Sequence, residues 1–141
     1  MASLRGKKIL LGVSGSIAAY KSLINKGVAC TPDLARAYCN FGTLLCVMQL
    51  YKDAVKEFRK AKKIYNNMAA IEPDAYLPSL ATVLEQEGKM FYEMKDFKNA
   101  LDNFEQALVI REYQAANDPL SFSRFVTDIE GWIKEIKDVA K

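Results

Sequence analysis

The chain has 141 residues, of which 20 are Lys or Arg and 17 Asp or Glu; half of it is apolar and it contains no histidine. That balance predicts one globular domain long enough to bury a core without disulfides or metal, and it excludes collagen-like and disordered chains. The missing histidine removes Ser-His and Cys-His nucleophiles, imidazole metal sites and a histidine general base.

The chain opens basic. Residues 1–27 hold Arg5, Lys7, Lys8, Lys21 and Lys26 and no acid, which leaves the remainder slightly acidic. Ile9-Leu10-Leu11-Gly12-Val13 is too short, and too soon followed by Ser14, Gly15 and Ser16, to be a secretory signal. No stretch approaches the 18 or more apolar residues of a membrane span, so a cytoplasmic protein is expected. The segment from Leu4 to Ser22 reads as a short strand, a Gly/Ser loop and the first turns of a helix, an arrangement that can hold a phosphate. A helix over 16–26, capped by Ser16 and closed by Gly27, is predicted. Ile9 to Val13 either continues that helix or pairs as a strand between two chains, giving a homodimer.

Gly12-Val13-Ser14-Gly15-Ser16-Ile17-Ala18-Ala19-Tyr20-Lys21 resembles the opening of the flavin-dependent phosphopantothenoylcysteine decarboxylases. The resemblance implies an FMN phosphate contact at Ser14, Gly15, Ser16 and Ile17. It stops after roughly 20 residues; the further parallel strands, the flavin-ring pocket and the catalytic histidine are missing. No cofactor is therefore expected, and the segment reads as a fragment joined to another fold.

Cys30, Cys39 and Cys46 are odd in number and lack Cys-x-x-Cys spacing, which argues against a disulfide framework or a zinc site. Cys39 and Cys46 share a helix face and read as small hydrophobes of a reducing compartment. Lys56-Glu57-Phe58-Arg59-Lys60-Ala61-Lys62-Lys63 is interrupted at helical spacing and reads as a solvated face, not a nucleic-acid site.

From about residue 31 the chain repeats. Gly42, Gly88 and Gly131 each follow an apolar-periodic stretch, and 46 and 43 residues separate them in turn. Ala54, Phe58 and Ala61 follow the first glycine and Ala100, Phe104 and Ala107 the second, at steps that put each trio on one helix face. Such a pattern describes antiparallel helix pairs, with glycine admitting a close approach and phenylalanine filling the gap. Gln49 to Asp53 and Lys95 to Asn99 form the equivalent turns, each with an aromatic to plug the corner. Glu72-Pro73-Asp74 and Asn117-Asp118-Pro119 end the second helices.

Tyr38, Phe41, Gly42, Leu45, Ala54, Phe58 and Ala61, with Leu84, Gly88, Phe91, Ala100, Phe104 and Ala107, resemble the tetratricopeptide repeat family in its long-period, kinesin-light-chain-like form. Glu87, where the first unit has Phe41, departs from the pattern. The resemblance implies an all-α, right-handed solenoid of antiparallel helical hairpins: an N-terminal segment over 1–27, then a domain over 28–141 with repeats at about 31–73 and 77–118 and a capping helix at about 120–140.

Helical stride leaves Arg36, Cys39, Thr43 and Cys46, then Thr82, Glu85, Lys89 and Tyr92, then Asp128 and Trp132 for the inner face, a candidate groove for a protein or peptide. Tyr92 and Trp132 are either aromatic anchors or packing residues. The chaperone-type carboxylate clamp is not supported, because Cys39, Thr43 and Glu85 stand where its Lys and Asn would. Acids on helical repeats are usually solvated, so no catalysis is expected. Two functions remain: an interaction scaffold, without nucleic-acid or membrane partners, or a chimeric or recombined chain carrying an inactive flavoprotein fragment.

Overall fold

The computed structural model describes residues 32–140 as five α-helices and, among these residues, no strand: α1 (Pro32–Val47), α2 (Tyr51–Ile71), α3 (Pro73–Glu93), α4 (Phe97–Asn117) and α5 (Pro119–Val139). The expected N-terminal strand and helix, the FMN-phosphate positions Ser14, Gly15, Ser16 and Ile17, the dimerising segment and Cys30 lie outside the described residues. Two compact units divide between Tyr65 and Asn66, where chain length alone predicts one. Each hairpin closes its own seam internally, which is compatible with a helical repeat.

In the first unit, Leu34, Ala35, Tyr38, Cys39, Gly42, Leu44 and Leu45 form the buried stripe of α1. Ala54, Phe58 and Ala61 of α2 have no exposed surface. A Cβ on Gly42 would lie 2.9 Å from Phe58 Cε1, so glycine lets the ring rest on the α1 backbone. Lys56, Arg59 and Lys63 face solvent while Phe58 and Ala61 face inward, as the interrupted basic run predicts. Lys60 bonds Glu57 at 3.1 Å and lies over the Tyr38 ring.

The second unit repeats that seam 46 residues on. Leu80, Ala81, Leu84, Gly88 and Met90 of α3 are buried where α1 has Leu34, Ala35, Tyr38, Gly42 and Leu44. A Cβ on Gly88 would lie 2.9 Å from Phe104 Cε2, and Ala100, Phe104 and Ala107 have no exposed surface. The turns correspond too. Gln49 and Lys95 both take a left-handed backbone, φ 62 and 61, and the next amide turns back, Leu50 N to Leu45 O at 2.8 Å and Asp96 N to Phe91 O at 2.9 Å. These are Schellman closures built without glycine.

Proline sets the helix starts. α3 begins at Pro73, four residues ahead of the expected 77, because proline is favoured at a first helical position and Pro78 sits within the helix. α5 begins at Pro119 after Asp118, whose side chain accepts from Ser121 N. Asp96 caps α4 likewise through Asn99 N.

The third glycine departs from expectation. Nothing lies within 4 Å of a Cβ placed on Gly131, so it is not a third copy of the seam. Its spacing of 43 is out of register: at 46, Ile129 and Ile136 correspond to Val83 and Met90, and all four are buried. The same register puts Thr127, Glu130 and Lys134, all exposed, where α3 has Ala81, Leu84 and Gly88. These three α5 positions are thus polar and exposed where α3 has apolar or glycine packing residues.

Candidate functional site

Within the second unit, α3, α4 and α5 enclose a cavity of about 400 Å³. Thr82, Glu85, Gln86 and Lys89 face it from α3, at steps of three, one and three that keep them on one side of the helix. Arg111 enters from α4, and Phe125, Asp128, Ile129 and Trp132 from α5. Five of the expected groove residues, Thr82, Glu85, Lys89, Asp128 and Trp132, thus border one concavity.

Its floor is an ion pair. Arg111 is 3% exposed; its Nε donates to Glu85 at 2.6 Å, its other nitrogens donate to Gln114 at 3.1 Å and to the Thr82 hydroxyl at 3.2 Å, and Phe125 covers it with ring and guanidinium 4.2 Å apart. A buried guanidinium needs such partners, because an unpaired charge in the interior is strongly destabilising.

Tyr92 and Trp132 pack and also border the surface. Trp132 stacks on Phe104 at 5.4 Å with 9° between the planes, and Tyr92 meets it edge-on at 5.2 Å. Phe97, the corner aromatic, meets Tyr92 edge-on at 5.7 Å. Tyr92 donates its hydroxyl proton to Glu135 at 2.6 Å. Its phenol is held above the ordinary tyrosine range, first by that hydrogen bond, then by desolvation and by the charge of Glu135 itself. Trp132 borders a second, shallower concavity of about 210 Å³ with Asp128, Gly131 and Glu135.

The remaining expected residues belong to the first unit. Arg36 is exposed and pairs with Asp33. Thr43 donates to the Cys39 carbonyl at 3.1 Å, a bond within α1. Cys39 is only 8% exposed, which makes it a core residue and removes it from any open face; Cys46 is half-buried, and neither forms a disulfide.

The site residues that stride alone missed are Gln86, Arg111, Phe125 and Ile129. Arg111 carries a signal all the same: it stands 46 residues after Tyr65, at a position the repeat register makes interior. A charge at a core position calls for a partner, and Glu85 is the nearest acid on the preceding helix face. Among the described residues no group of His, Cys, Asp or Glu could hold a metal ion, and no helix is long and apolar enough to cross a membrane.

Compared with protein-family models, with curated proteins and with solved structures, the chain matches none.

The division of the chain is electrical as well as structural. Residues 1–65 carry 12 Lys or Arg against 3 Asp or Glu, a net charge of +9, while residues 66–141 carry 8 against 14, a net charge of −6. The cavity therefore belongs to the acidic part.

Proposed function

We propose that the chain is an interaction module built of long-period tetratricopeptide-type hairpins, which binds a protein or peptide segment on the α3–α5 face and performs no catalysis. The observation that carries this reading is the cavity over Arg111, which gathers polar side chains from three helices beside Phe125, Ile129 and Trp132. Apolar walls with a few fixed polar groups are what recognition sites use. The Arg111–Glu85 pair supplies a rigid floor, and Gln86, Lys89 and Asp128 supply donors and acceptors around it. Three helices, α3 to α5, offer a short concave face, suited to a short linear segment.

Selection of a random peptide library on the full chain tests the proposal. Gln86→Arg, which fills the cavity from α3, is expected to abolish binding of the selected peptides while leaving the helical circular dichroism unchanged. Selected peptides that bind the parent and Gln86→Arg equally well would overturn the assignment of the site.

A further inference from the structure

The charge of the second unit specifies the partner. Resting on the reading of α3–α5 as a peptide-binding face, we propose that this face takes a basic extended peptide, with an Arg or Lys side chain over Trp132 between the carboxylates of Asp128 and Glu135.

Asp128, Trp132 and Glu135 follow one another at steps of four and three along α5 and so share one face. With Gly131 they line the concavity of about 210 Å³, and the open space at Gly131 leaves room for a long side chain. The indole is fixed from behind by Phe104 and from the side by Tyr92. Glu135 is likewise oriented, because Tyr92 donates to it. A cation beside a fixed indole is attracted by the ring as well as by the acids, and neither side chain needs reordering when it arrives.

The cations near the site do not cancel this preference. Arg111 is paired with Glu85 and covered by Phe125. Lys89 shares the larger cavity with Asp128 and Trp132, whereas the smaller one is lined by Asp128, Gly131, Trp132 and Glu135 with no cation among them. Asp128 borders both concavities, so a peptide anchored at Trp132 continues into the space over Arg111. Residues 66–141 carry a net charge of −6, so the part of the chain that holds the site is acidic at the short range over which salt leaves charges unscreened.

Trp132 is the chain's one tryptophan, so its fluorescence reports on this site alone. The test titrates the full chain with three alanine- and glycine-based peptides that differ only in carrying Arg, Gln or Glu. The Arg peptide is expected to change the emission saturably and to weaken as salt is raised from about 50 mM to about 300 mM. Asp128→Asn and Glu135→Gln should each weaken it about fivefold, the range of an exposed ion pair. Asp102→Asn and Glu105→Gln on α4 should leave it unchanged, which separates the site from diffuse attraction. Glu135→Gln keeps an acceptor for Tyr92, and helical circular dichroism verifies that each variant is folded.

Equal weakening by the α4 variants, or no weakening by the α5 variants, overturns the proposal. Preference for the Glu peptide overturns it and leaves the peptide-binding reading standing; silence toward peptides selected on the full chain takes down both. A salt-sensitive dimer without peptide, dissolved by Asp128→Asn, would assign the face to the basic half of a second copy instead and so also overturns it.

Discussion

The two hairpins share one backbone seam and differ in what they bury beside it. Gly42 against Phe58 and Gly88 against Phe104 are the same contact to within 0.1 Å at every nearest atom, and the left-handed turns at Gln49 and Lys95 match. Yet Cys39, Tyr65 and Met68 of the first become Glu85, Arg111 and Gln114 in the second. At these positions uncharged residues have been exchanged for a set that holds an ion pair, at constant frame. The seam dictates how the helices meet, while the positions one turn away are free to carry chemistry, and only the second hairpin uses them for a charged cavity floor.

The largest effects should fall on the shared seam. Phe58→Ala and Phe104→Ala are each expected to cost about 3–5 kcal/mol, measured by denaturant unfolding, because both rings are fully buried. A small loss at either position would break the equivalence. Next comes the difference. Arg111→Ala leaves Glu85, whose side chain is 15% exposed, without its cation and should cost about 3 kcal/mol. The combined change Glu85→Cys, Arg111→Tyr and Gln114→Met, which copies the first interior into the second, should lie within about 1 kcal/mol of the parent or above it.

The glycines sharpen the comparison at smaller scale. Helix propensity favours alanine by about 1 kcal/mol, but at Gly42 and Gly88 a Cβ at 2.9 Å from a locked ring outweighs it, for a net loss of about 1–2 kcal/mol. Gly131→Ala meets nothing and should gain up to about 1 kcal/mol in thermal unfolding. Smallest are the turns. Gln49→Gly and Lys95→Gly relieve a left-handed backbone that costs an L-residue about 1–2 kcal/mol, against roughly 0.5–1 kcal/mol of added unfolded-state freedom. A gain of about 0.5 kcal/mol at each is expected from the same unfolding curves.

Much of the frame was legible because its demands are steric. Only glycine admits a ring so close, and only a repeat brings glycine, alanine and phenylalanine back together at one spacing. Gly131 misled for the same reason: as a glycine it attracted the alignment, while the true third register runs through Ile129 and Ile136. The turn positions gave no warning, since Gln49 and Lys95 are not residues that advertise a left-handed backbone. In the site, stride found Thr82, Glu85, Lys89, Asp128 and Trp132, which project from helices whose faces it could count. It passed over Arg111, because a single charge in a helix ordinarily reads as solvated, and it placed the change of charge at residue 27, shortly before the first acid at Asp33, although basic residues dominate as far as 65.

The shared seam is tested most directly by a nuclear Overhauser spectrum of the full chain. Cross-peaks are predicted from the Gly42 α-protons to the Phe58 ring and from those of Gly88 to the Phe104 ring, with none from Gly131 to any phenylalanine. A missing contact at either of the first two glycines, or a phenylalanine ring against the third, would contradict the account.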